Sequence, residues 1–177
     1  MNREIKELLH TVCTSESPND FNKATMASKM ESVWNQLVEI ESNIEFESIL
    51  CEGEQNIVKA LSKVCQWINQ GLGLARDWKS PINKIYEYLI LIIYQLAEGP
   101  GWEVRKKLVL QGLCKLAIVA ISFVEIPGSL NGTRILHTLD RLSRVPSIHF
   151  HISGQLKGFD FFSVLFSWIN ERYAHLC

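Results

Sequence analysis

No stretch of this sequence matches G-x-G-x-x-G, a Walker A loop, G-x-S-x-G or H-E-x-x-H. The phosphate cradles, nucleophile turns and zinc-binding pairs of those chemistries are therefore missing. There is no C-x-x-C pair. The five cysteines, Cys13, Cys51, Cys65, Cys114 and Cys177, are odd in number and far apart, which argues against a disulfide framework and reads as reduced thiols packed like small hydrophobes. No basic tract is denser than Arg105-Lys106-Lys107, too little for the electrostatic footprint of a nucleic-acid binder. Long clean apolar runs are absent too. The nearest, residues 108–126, carries Gln111, Lys115 and Ser122, and a central lysine alone costs about 3 kcal/mol on insertion, so no membrane span is expected. Residues 2–7 are charged and lead into no apolar h-region, so the expectation is an intracellular protein, cytoplasmic or nuclear. Asn131-Gly132-Thr133 has the glycosylation pattern but reads as a plain turn.

Charge of one sign is lacking overall, at 18 basic and 19 acidic residues, but the halves differ. Residues 1–60 hold 11 acids and 5 bases; residues 61–177 hold 8 and 13. An acidic N-terminal third facing a mildly basic remainder suits the choice of a protein partner. With 47% hydrophobic and 21% charged residues in 177, the chain reads as a single domain, 1–177, long enough to bury roughly 70% of its unfolded surface.

Apolar residues recur at helical spacing nearly throughout. Ile5, Leu8, Leu9 and Val12 mark a first helix behind Asn2. Met26, Met30, Val33, Trp34, Leu37 and Val38 mark a second over residues 21–41, capped by Asn19 or Asp20, with Glu31 and Glu39 facing water. A short third, residues 45–51, carries Phe46, Ile49 and Leu50. The fourth places Ile57, Val58, Leu61, Val64, Cys65 and Ile68 in phase and stops at Gly71-Leu72-Gly73. Residues 80–124 form the centre. Ser80 and Pro81 read as N-cap and first helical residue, and Ile82, Ile85, Tyr86, Leu89, Ile92, Ile93 and Leu96 share one face. Gly99-Pro100-Gly101 then folds the chain back into one long helix burying Val104, Leu108, Leu113, Leu116, Ala117, Ala120 and Ile121. Ile135, Leu136, Leu139 and Leu142 give a further helix ending near Val145-Pro146. Residues 147–153 alternate with period two, and Phe162, Leu165, Phe166, Ile169 and Tyr173 mark a closing helix. About seven helices result, an all-α fold of consecutive antiparallel hairpins, helical-repeat-like or an irregular bundle.

Glu103-Val104-Arg105 after a Gly/Pro turn, followed by Leu108, Leu113 and Leu116, resembles the second helix of a HEAT or armadillo repeat. In such repeats an arginine near the helix start and leucines beyond it line a solenoid core. The resemblance covers one helix and implies a scaffold or docking surface.

His149 and His151, at i and i+2 of an extended segment, point the same way and are the nearest approach to a metal pair. Two ligands fall short of a site, and Asp160, His175 and Cys177 have no spacing that brings them close. The glutamates between 39 and 54 read as a solvated face. No cofactor and no enzymatic activity are expected. Of five tryptophans, Trp67 and Trp102 lie off their helices' apolar stripes, and Trp102 with Arg105 and Lys106 has the composition of a binding hot spot. The leading expectation is a protein–protein interaction module, an adaptor or scaffold subunit with Trp67, Trp102, Arg105 and Lys106 at its contact surface. The alternative is a helical bundle in which Met26, Met30, Tyr86 and the aliphatics of residues 82–124 enclose an apolar small molecule or lipid.

Overall fold

A computed structural model of the chain describes residues 3–17, 19, 22–50, 56–69, 79–121 and 130–143. Within them lie eight α-helices and no strand: α1 (Arg3–Thr14), α2 (Lys23–Glu39), α3 (Asn43–Leu50), α4 (Ile57–Trp67), α5 (Pro81–Glu98), α6 (Trp102–Leu110), α7 (Leu113–Ile121) and α8 (Leu130–Ser143). The alternating segment 147–153 with His149 and His151, the closing helix over 162–173, and the glycines after α4 fall outside the described residues.

The caps show why the helices begin where they do. The side chain of Asn22, not Asn19 or Asp20, accepts from the backbone N–H groups of Ala24 and Thr25 at 2.9 and 3.1 Å. Asn56 does the same for Lys59 at 2.9 Å. These oxygens satisfy donors that a first helical turn leaves orphaned. Ser80 is the N-cap of α5 with Pro81 at N1, but its hydroxyl makes no cap bond. Its backbone carbonyl accepts instead, from Asn83 at 3.0 Å and Lys84 at 3.2 Å. Asn131-Gly132-Thr133 is no turn: it lies in the first turn of α8.

The long helix expected after Gly99-Pro100-Gly101 is two helices. Gly112 takes φ +105°, a left-handed value that glycine reaches without a Cβ clash. Its N–H donates to the Val109 carbonyl at 2.9 Å, and its own carbonyl starts α7 by accepting from Leu116 at 3.0 Å. Val104, Leu108, Leu113, Leu116, Ala117 and Ala120 are buried as expected, on two axes. The apolar run 108–126 is thus interrupted, and among the described residues no helix is long and apolar enough to cross a membrane.

Helix α5 is the hub. Besides the expected face, Ile90, Leu91 and Ala97 are buried, so the helix is apolar almost all round, the pattern of an element enclosed by neighbours. Its most extensive packing is against α2 and α8. A regularity runs through the packing, because helices three places apart meet: α1 with α4 and α4 with α7, α2 with α5 and α5 with α8, and α3 with α6. Cross-contacts α1–α2, α4–α5 and α7–α8 join the first two of these rows. Single polar ties reinforce the joins. Lys63 of α4 donates to the carbonyls of Val12 and Ser15 at the end of α1, at 2.9 and 2.7 Å. The Tyr86 hydroxyl donates to the Ala120 carbonyl of α7 at 3.0 Å, and Arg141 of α8 stands 3.8 Å from the carboxylate of Glu98.

Candidate functional site

The row formed by α3 and α6, with the end of α2, carries the large exposed apolar side chains of the described residues. Four large hydrophobic side chains are exposed among the described residues: Val38 at 51%, Ile44 at 81%, Trp102 at 49% and Leu110 at 46%. They gather at one region, since three contacts draw the carrying elements together. Gln95 near the end of α5 donates to the Leu37 carbonyl at 3.4 Å, beside Val38. An added Cβ on Gly99, three residues before Trp102, would stand 2.5 Å from the ring tip of Phe46, itself two residues after Ile44. Lys107 of α6 pairs with Glu47 of α3.

Helical geometry explains which side chains are left out. At about 100° per residue, Val104, Leu108 and Val109 define the inner arc of α6, and all three are buried. Glu103, Lys107 and Leu110 fall on the outer side and are exposed. Trp102 and Lys106 sit on the flank, while Arg105 lies within the inner arc and is half-buried. In α3 the buried side chain is Phe46, and Ile44 stands about 200° away from it. Val38, expected in the α2 stripe, lies about 100° past Leu37 and beyond the edge that half-buried Trp34 marks.

Of the expected contact residues, Trp102, Arg105 and Lys106 share this region; Trp67 does not present itself. It is 5% exposed, because burial of Ala60 and Val64 beside it widens the inner face of α4 until it takes in position 67. The Lys63 ammonium stands over its ring at 5.2 Å. Trp67 is a core residue with a cation over one face.

Arg105 is the electrostatic anomaly of the site. Its Nε is buried without a hydrogen-bond partner, and so is the Nε of Arg141. Burial, then the like charge of Arg141, hold the Arg105 guanidinium below the usual arginine range, with the Glu98 carboxylate opposing them. The two guanidiniums thus lie near the same carboxylate, that of Glu98. On the other side of the Glu47–Lys107 pair, Glu39, Glu41 and Glu45 are exposed. The exposed apolar residues of the site thus stand among charged ones of both signs.

The residues that sequence reasoning passed over were Ile44, Leu110, Glu98 and Arg141. The first two were detectable, since each falls opposite its helix's apolar positions. The Glu98–Arg141 pair, joining positions 43 residues apart, left no local signal. Met26 and Met30, the side chains proposed to enclose a ligand, are fully buried in the core, and the Tyr86 hydroxyl is engaged by Ala120. No group of three or more His, Cys, Asp or Glu side chains among the described residues could hold a metal ion. No family model, no curated protein and no solved structure matches the chain.

Proposed function

We propose that this chain is a non-enzymatic protein–protein interaction module, an adaptor or scaffold subunit of a larger assembly in the cytoplasm or nucleus. The observation that carries the reading is the exposure of Ile44, Trp102 and Leu110 on α3 and α6, two helices that pack together, with Val38 exposed near the end of α2. Exposed apolar side chains scattered singly need no explanation, but several on neighbouring helices among charged residues have the composition of an interaction surface. Trp102 is the anchor: a large, rigid, half-covered aromatic carries more binding energy per ordered side chain than its neighbours.

The reading includes a helical-repeat architecture, which the HEAT/armadillo resemblance of residues 103–116 implies, although Gly112 divides those residues between α6 and α7. Packing of each helix against the one three places along supports it. Stacked units that bury their faces against the next unit behave in that way, with α1–α2–α3 and α4–α5–α6 as successive units and α7–α8 opening a third. On this reading Ile44, Trp102 and Leu110 lie along the row of third helices.

Affinity purification of the tagged chain from its native cell, with identification of the proteins that come along, tests the reading. The expected result is a defined set of proteins retained by the native chain and lost by a Trp102→Ala/Leu110→Ala variant with an unchanged circular dichroism spectrum. The same set recovered with both chains would overturn this surface. A native chain that brings nothing would overturn the module.

A further inference from the structure

The packing of helices three places apart leaves one position open. Rows α1–α4–α7 and α2–α5–α8 have three members each, while among the described residues α3–α6 has two. A third member would follow α8 in the chain and pack on α6. The flank of α6 turned away from α3 carries the exposed apolar side chains that such a helix would cover. At about 100° per residue, Trp102, Lys106 and Leu110 share an arc of about 80°. Lys107, paired with Glu47 of α3, bounds that arc on one side, and Arg105, under the charge of Arg141 of α8, bounds it on the other. The chain also leaves α8 beside this flank. Arg141, two residues before the last residue of α8, stands 3.8 Å from Glu98 at the end of α5, four residues before Trp102. Residues 144–177 follow, outside the described residues. Their sequence places Phe162, Leu165, Phe166, Ile169 and Tyr173 within an arc of about 100° at helical spacing, the width of a stripe that buries against a neighbour.

From these features we infer that the Trp102–Lys106–Leu110 flank of α6 is the seat of this chain's own residues 162–173, a helix that completes the third row. Lengths match. At about 1.5 Å per residue the stripe from Phe162 to Tyr173 runs about 16 Å, enough to cover Trp102 to Leu110 at about 12 Å. The 18 residues 144–161 span at most roughly 60 Å, ample for a return from the end of α8 to a flank that begins beside it. Trp102 and Leu110, each about half exposed, then lose their remaining apolar surface to the aromatic stripe. Attachment favours this occupant over a second copy, because a tether of this kind holds the segment at roughly millimolar effective concentration. The inference rests on the helical-repeat packing of the proposed reading and adds a competitor for its surface. A partner reaches Trp102 and Leu110 only where residues 162–173 leave them, while Val38 and Ile44, on α2 and α3, stay open.

Photo-cross-linking of the purified full chain at low micromolar concentration tests it, with p-benzoylphenylalanine in place of Lys106 at the centre of the arc. Irradiation should join α6 to the tryptic peptide 158–172 of the same chain, in a product that runs as a monomer on a denaturing gel. Phe166→Glu/Ile169→Glu should abolish that product. Ser163→Glu/Ser167→Glu, which adds the same charge off the stripe, should leave it. Hydrogen exchange in the first variant should quicken in α6 and stay native in α2 and α5, which separates an emptied seat from a lost fold. The cross-link in the otherwise native chain decides the matter even where that variant fails to fold. A product that is a dimer, a cross-link to any other part of the chain, or none at all overturns the inference. So does a product that survives Phe166→Glu/Ile169→Glu. The same variant should retain more of any co-purifying proteins than the native chain does, and an equal amount would overturn the competition. Proteins lost by Trp102→Ala/Leu110→Ala in a chain that gives no cross-link sink the seat and leave the module standing. The cross-link in a chain that brings no proteins leaves the seat and sinks the module.

Discussion

Lys63 shows how much one side chain can hold. Its ammonium reaches the carbonyls of Val12 and Ser15 and stands over Trp67, so it closes the end of α1, where a helix is electronegative and short of donors. Replacement by methionine keeps the stem and removes the donors. Lys63→Met should cost about 1–3 kcal/mol, read as a lower urea midpoint at unchanged slope. Nothing local in the sequence marks this lysine, whose partners lie 48 and 51 residues away. The buried thiols were legible, since Cys65 and Cys114 fall in phase with apolar neighbours, and both are buried. Burial pushes each up to about 12, from an ordinary 9.0. Above about pH 9 the unfolded chain releases these protons and the folded chain keeps them. Stability from this source is therefore complete below that pH and is lost as pH rises, by about 1.4 kcal/mol per pH unit for each thiol. Urea titrations from pH 7 to pH 10.5 should show the decline, and a Cys65→Ala/Cys114→Ala chain should show a shallower one. Alkylation mapped by mass spectrometry at neutral pH should label exposed Cys13 and spare Cys65 and Cys114 until the chain unfolds.

Among the elements, two glycines look alike in sequence and differ in physics. Gly99 ends α5 with ordinary right-handed geometry, φ −69°, and is required because Phe46, itself 1% exposed, presses against it. Gly112 has open space around it and is required because its φ is +105°. Gly99→Ala should cost about 1–3 kcal/mol by overpacking, and less in a Phe46→Leu background, since that change removes the atom it would strike. Gly112→Ala should cost about 1–2 kcal/mol through backbone strain alone, whatever stands at position 46. A double-mutant cycle in urea distinguishes them: coupling for the first, additivity for the second. The same contrast explains which boundaries the sequence disclosed. Gly99-Pro100-Gly101 announces a break by composition, but a lone glycine inside a helical pattern reads as a tolerated interruption, so α6 and α7 were read as one helix. Only the backbone angle reveals the turn. In α4 and α5 periodicity named the buried residues correctly; at Val38 and Trp67, both on the edge of a stripe, it could not say how wide the neighbours would make the stripe.

For the whole molecule, the question is what the packing between helices three places apart implies for cooperativity. Sequence periodicity disclosed that the chain is helical, and that residues 82–96 are a central face, because those signals are local. Packing of α2 and α8 on α5 was not legible: it depends on surfaces meeting across tens of residues, and its trace in the helix is the burial of Ile90 and Leu91 outside the expected stripe. Rows of helices that stack by nearest neighbours tie stability to their interfaces, and α5 owns the largest two. Leu89, with no exposed surface, sits in the middle of that element. Leu89→Ala should cost about 2–5 kcal/mol, a large part of the roughly 5–15 kcal/mol that holds a domain folded. Its signature should be spatial as well. In native-state hydrogen exchange, protection should fall together in α2, α5 and α8, because opening α5 uncovers both neighbours. Leu113→Ala, also at a position with no exposed surface but in α7, should lower protection in α7 and α8 first and leave α1 and α2 closer to native. Equal loss everywhere in both variants would mean that the chain unfolds as one indivisible unit, and that the three-place packing does not divide its stability.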